Sequence, residues 1–265
     1  AATSVTLTAG NEVTVGLAAA TVATVSGSGT TTNSTIDDAA GNTLTTLNLS
    51  GNGAAHTFDV SNSEGVKTVT MTGDQDVTMI ITSAAVDALT NNQLTVTDST
   101  TAGTTTVDLA GVGANAVDTS TIGADVIEIS AANTGTILTA SGQTLTLSAD
   151  QTTFALDGSD TGAASNTATL ILDDGVTTAN ATVDIATSLT LTDLSAVTID
   201  VSKDSFTTTG FTPSSITNIT GSADNTSVTI NAGANGVTLA GTHDLSAATG
   251  GGALVINSDG VVGLG

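Results

Sequence analysis

Cysteine, tryptophan, tyrosine and arginine are all missing from this chain, and proline occurs once, at Pro213. Without cysteine there is no disulfide framework and no cysteine nucleophile. Four phenylalanines are the only aromatic residues in 265 positions. The large rings that anchor compact cores are therefore scarce, and a thin core built from repeated aliphatic layers is expected. Positive charge is almost absent as well: Lys67 and Lys203 stand against 25 acidic residues, for a net charge of −23. Nucleic acids and anionic membrane surfaces bind through cationic patches, so both are excluded as partners. No apolar run approaches the ~18 residues of a transmembrane helix, and the first residues show no basic segment leading into an apolar one. The termini, AATS and VVGLG, read as cuts through a continuing chain.

What the chain does contain is Thr, 57 of them, with 29 Gly and an acidic set of 22 Asp to three Glu. Disorder does not fit, because Val, Ile and Leu are interleaved throughout and the mean hydropathy is +0.30. Asp serves turns, where its short side chain bonds nearby backbone, and it is also a favoured oxygen ligand for calcium. A like-charged chain of this kind would gain stability from bound cations.

Short segments alternating apolar and polar recur along the whole length, as in TLNLS (46–50), VIEIS (126–130), TLTLS (144–148) and SVTINAG (227–233). This is the period of a strand with one buried face, and Thr suits the outward positions. The stretch 67–82, KTVTMTGDQDVTMIIT, poses the central question. It is either a hairpin or two sides of one coil. The apolar positions Leu49, Val60 and Met71 recur every 11 residues, giving a coil of about 20, within the range of solenoid repeats. The predicted fold is all-β, a parallel β-solenoid with irregular rungs, since stacked Val, Ile and Leu need no aromatic anchors. Tandem Ig-like β-sandwich domains are the alternative. Residues 1–202 form the β-rich repeat region, 203–215 a break holding two Phe and the proline, and 216–265 further rungs. Residues 83–92 alone have helical character.

The candidate metal ligands are paired acidic or amide residues at the corners between strands. They are Asp74 and Asp76 in GDQD; Asp157 and Asp160 in LDGSD; Asp173 and Asp174 in LDDG; Asp224 and Asn225 in SADN; and Asn257 and Asp259 in INSD. Stacked corners would converge such oxygens on calcium, which takes six to eight. The competing reading of each is a solvated turn. His56 and His243 are isolated and are expected to face solvent.

These Thr-, Ala-, Gly- and Asp-rich, lysine-poor strands resemble those of bacterial surface-layer (S-layer) proteins and large repeat adhesins exported through one-step (type I) channels. The resemblance covers the whole chain and is compositional. The glycine-rich calcium nonapeptide of that family is absent, with only fragments at Gly221–Asp224 and 250–252. The resemblance implies a secreted, non-catalytic protein at the bacterial cell surface. Such a protein binds calcium, self-assembles into a lattice or fibre, and contacts surface glycan or lipopolysaccharide through a further region of a longer protein. An adhesin stalk is a close variant. Thr-x-Thr pairs such as 144/146 also resemble ice-binding arrays, though the spacing is too uneven for a flat one. A polysaccharide lyase or hydrolase is the least favoured reading, for want of basic residues and aromatic sugar platforms.

Overall fold

The computed structural model describes residues 4–9, 14–16, 20–27, 32–38, 43–63, 65–82, 94–110, 117–158, 166–175, 182–202, 213–222, 227–246 and 252–264. Within them the secondary structure is strand, with no helix. The stretch with helical character (83–92) and most of the predicted break (203–212) lie outside the described residues. The chain divides into two compact units, Ala1–Glu128 and Ile129–Gly265.

In the first unit the strands alternate between two sheets. One sheet stacks Ser4–Ala9, Val22–Gly27, Thr46–Gly51, Thr68–Gly73, Thr95–Thr100 and Ile122–Gly123, every pair parallel. The other stacks Thr14–Gly16, Thr32–Asp37, His56–Asn62, Val77–Ile81 and Thr105–Leu109, then Val126–Ile129 at the unit's limit, again parallel. The second unit repeats the scheme. One sheet runs through Gln143–Leu147, Thr167–Leu172, Ala196–Asp200, Ser227–Gly233 and Ala253–Ser258. The other runs through Thr136–Leu138, Gln151–Asp157, Ile185–Thr192, Ser215–Thr217, Val237–Ala240 and Val262–Leu264. A short strand, Ile219–Gly221, adds a second parallel partner to Ile185–Thr192.

This is a parallel β-solenoid, and the stretch 67–82 is two sides of one coil. Thr68–Gly73 lies in one sheet and Val77–Ile81 in the other, joined by the corner of Gly73 at φ 120 and the following Asp-Gln-Asp. A hairpin would have paired these two strands with each other. Instead Met71 stands beside Leu49, and Met79 beside Phe58. The 11-residue step is therefore half a coil, carrying Leu49 to Val60 on the next face and Met71 onto the coil above. The rungs are uneven as expected: hydrogen bonds between neighbouring coils link residues 20 apart (Thr105 and Asp125) and 34 apart (Asp150 and Asp184).

The core follows from period 2. In Thr46–Gly51 and Ser227–Gly233 alternate residues are buried, so Leu47, Leu49, Val228 and Ile230 are wholly inside. Parallel register then stacks like on like. Ala23, Leu47, Val69 and Val96 form one column, and Val197, Val228 and Leu254 another. Each buried Val, Leu or Ile contributes about 1.5–3 kcal/mol, so many thin layers replace a few aromatic anchors. Of the four phenylalanines, Phe58 and Phe154 are buried in this way.

Candidate functional site

The aspartates were expected at corners, and the structure shows what their carboxylates do there. A recurrent unit is Asp followed two residues later by Ser, Thr or Gly. Asp59, Asp98, Asp118, Asp173, Asp200 and Asp244 each accept the backbone N–H of residue i+2, at 2.8–3.0 Å. Where that residue is Ser or Thr, its hydroxyl often adds a second bond to the same oxygen, as at Ser202 (2.5 Å) and Ser246 (2.6 Å). Those at Asp118, Asp173 and Asp200 turn the chain at or just past a strand end, whereas those at Asp59 and Asp98 lie within their strands.

A second group of carboxylates reaches from one coil to the next. The pair Asp74 and Asp76 sits in one corner but bonds in opposite directions. Asp74 Oδ1 accepts the Gly53 N–H of the coil before, at 3.3 Å, and Asp76 Oδ1 the Thr104 N–H of the coil after, at 2.8 Å. Gly103 makes the second contact reachable, because a Cβ there would lie 2.1 Å from the Gln75 carbonyl carbon. In the second unit Asp150 Oδ1 accepts the Asp184 N–H at 2.9 Å, and Asp184 Oδ1 accepts the Ser215 N–H at 2.6 Å. Burial pushes the Asp184 carboxyl up; the Ser215 N–H opposes this and the charge of Asp150 adds to it.

The densest acidic corner in these contacts joins Asp98, Thr105 and Asp125. The hydroxyl of Thr105, a fully buried residue, lies 3.1 Å from Asp98 Oδ2 and 3.2 Å from Asp125 Oδ2, and it accepts the Asp125 N–H at 3.0 Å. One hydroxyl proton serves two carboxylates, so negative charge accumulates here in a way a hard cation would relieve. Sequence reasoning passed over this corner. The signal was the phase of alternation: Leu94, Val96 and Asp98 fall on one face, and Asp98 stands beside Met71 in the ladder.

The other predicted ligands are distributed as follows. Asp173 and Asp174 are adjacent, with Asp173 held in its Asx turn and one oxygen of Asp174 buried. Asp157 ends its strand beside Thr192. Asn257 and Asp259 share a surface cleft with Asn231, Ser202 and Gly233. Asp160, Asp224 and Asn225 lie outside the described residues. Among the described residues no three His, Cys, Asp or Glu side chains are grouped to hold a metal ion. The carboxylate pairs supply two acidic ligands each, so calcium would have to complete its shell there from hydroxyls, backbone carbonyls and water.

The two histidines correct an expectation. His56 does not face solvent: it is 3% exposed, its Nε2 lies 2.9 Å from the buried Ser34 hydroxyl, and its ring packs 4.5 Å from that of Phe58. Burial pushes its pKa down. His56 falls on the inward phase with Phe58 and Val60, and Gly27 leaves the space its ring occupies. A serine–histidine pair thus exists, with both residues buried. His243 is half-buried, and its Nδ1 accepts the Ile219 N–H at 3.3 Å. Comparison with protein-family models, curated proteins and solved structures gives no match.

Proposed function

We propose that this chain is a non-catalytic structural module of a bacterial cell surface, secreted and self-assembling as part of an S-layer lattice or a surface fibre. The observation that carries the reading is the parallel β-solenoid itself, a stack of coils whose corner carboxylates bond backbone N–H groups within a turn or on the neighbouring coil. The net charge of −23 opposes self-association, and calcium held by carboxylates such as Asp74, Asp76, Asp98 and Asp125 would offset the repulsion. A buried Ser34–His56 pair and corner aspartates committed to backbone N–H groups support a mechanical role over an enzymatic one.

The test is electron microscopy with light scattering in excess calcium and then in chelator. Ordered sheets or fibres that form with calcium and dissolve in chelator are the expected result. A chain that stays monomeric at high concentration under both conditions overturns the reading.

A further inference from the structure

The outward face of one sheet in the first unit is more regular than the spacing along the chain suggests. Four consecutive strands carry it: Val22–Gly27, Thr46–Gly51, Thr68–Gly73 and Thr95–Thr100. Parallel register sets Thr46, Thr68 and Thr95 in one outward column, and Thr24, Asn48, Thr70 and Thr97 in the next. A third column holds Ser26, Ser50, Thr72 and Ser99. The steps from Thr24 to Asn48, Thr70 and Thr97 are uneven, at 24, 22 and 27 residues, yet none of the three ladders shifts register. The unit's other sheet does shift, between Thr35 and Asp37. Uneven spacing argues against a regular threonine array, and for this face the structure reverses that expectation.

Two further properties set the face apart. In a chain of net charge −23, none of the residues in these three columns is charged. The unit's other sheet instead places Asp59, Asp108 and Glu128 in one outward column. The hydroxyls also divide by column. In the third, Asn52 Nδ2 donates to the hydroxyls of Ser26 and Ser50, and Thr72 Oγ1 donates to the Leu49 carbonyl at 3.2 Å. In the first two, the hydroxyls of Thr46, Thr68, Thr70, Thr95 and Thr97 have no protein partner among the described residues.

The ladder fixes where those hydroxyls stand. Neighbouring strands lie about 4.8 Å apart and alternate residues about 6.7 Å apart along each, so the threonines form a rectangular grid. Branching at Cβ stiffens each side chain, and little freedom is left to lose on binding. Such a face selects by exclusion. An ion finds no opposite charge, and a protein partner finds no aromatic or large apolar anchor. An ordered water lattice fits, because its oxygens repeat at spacings close to those of the grid. Each hydroxyl both donates and accepts, and the threonine methyls fill the space between.

We propose that this threonine face binds ice, with Thr46, Thr68, Thr70, Thr95 and Thr97 as its contacts. The proposal does not rest on self-assembly: a chain that bound ice and never assembled would leave it standing.

The experiment is ice-affinity partitioning, with microscopy of single ice crystals held just below melting. The whole chain is used in chelator, at a concentration where light scattering shows no assembly. The expected result is facetted crystals and enrichment of the chain in the ice fraction, reduced about tenfold in Thr70→Tyr and in Thr97→Tyr. A ring at either position lifts the neighbouring threonines off the crystal, while tyrosine itself suits a strand, and melting points verify the fold. Thr78→Tyr, on the unit's other sheet, should leave both readouts unchanged. Rounded crystals and exclusion of the chain from ice overturn the proposal. So does enrichment that both face variants leave unchanged, which would place the ice on another surface. Enrichment that appears only with calcium and scattering particles would overturn it too, as trapping of assemblies.

Discussion

The two units share glycine corners and differ in the side chains that close the others. In the first, Gly27, Gly51 and Gly73 stand in register at the end of successive strands, and the backbone itself turns. The fit is close: a Cβ on Gly73 would lie 2.0 Å from the Gly51 carbonyl oxygen. In the second, glycines at positive φ also turn the chain, as at Gly236 and Gly241, and side-chain amides close other corners. Gln151 accepts the Asn133 N–H at 2.8 Å and donates to the Ala131 and Ala149 carbonyls. Asn218, at φ 50, donates to the Thr187 carbonyl and accepts the Thr242 N–H. The buried polar groups differ in the same sense. Those of the first unit include Asp38, His56 and Asp118; those of the second include Asn133, Gln151 and Asn166. A stack of coils can thus be turned by bare backbone and closed by amides or by carboxylates.

The sharpest way to break this contrast is Gly73→Ala. The residue is at φ 120 and its new Cβ meets fixed backbone, so a loss of about 3 kcal/mol or more is expected, read by urea unfolding. Gly142→Ala, in the second unit at φ 81 with open space around it, should cost only about 1–2 kcal/mol. Equal effects would show that the glycine column is not what turns the first unit.

Next in size is Gln151→Leu. It strands the buried Asn133 N–H and two carbonyls, at about 2–4 kcal/mol. Asn52→Ala in the first unit removes only exposed bonds to Ser26 and Ser50 and should stay within about 0.5 kcal/mol. Hydrogen exchange should show the Gln151 defect around residues 131–157 and leave 46–81 protected.

A smaller effect is expected from pH. Burial holds the pKa of His56 below its ordinary 6.5, so the unfolded chain takes up a proton first as pH falls. Its contribution to stability is complete above that range and is lost as pH drops below about 6.5. Between pH 7 and 5, exchange protection of 56–60 should decline in the native chain and hold in His56→Gln. The amide-closed segment around Gln151 should show no such dependence on His56. A native chain indifferent to pH over this interval would overturn the role given to His56.

The smallest expected effect is at Asp244, where the Ser246 hydroxyl and N–H hold the carboxyl below its ordinary 3.8. The stability it adds is present at neutral pH and fades as pH falls through its lowered value. Carbon-13 titration should show Asp244 ionising below 3.8 and returning towards it in Ser246→Ala.

Much of this was legible in the chain itself. The alternation in 46–50 and 227–233 identified strands and their buried faces, and the 11-residue step from Leu49 to Met71 gave half a coil. Asp was read as a turn residue, although that use was set beside a metal reading that composition could not separate. His56 was misread because its flanking residues, Gly53, Ala54 and Ala55, look like a loop. The alternation with Phe58 and Val60 was the stronger clue. The corner of Asp98, Thr105 and Asp125 was passed over because its members do not sit together in sequence.

By itself the sequence determined what is local. Period-2 patterning with few aromatics dictates strands around a thin aliphatic core, and Gly and Asp at the breaks dictate tight corners, because these depend on near neighbours along the chain. Only the tertiary structure decided which strand lies beside which, the register of the ladders among the described residues, and which side chains meet across coils. Those contacts join residues 18 to 34 positions apart. Coils of uneven length set their partners by the summed fit of whole ladders, and no local pattern encodes that sum.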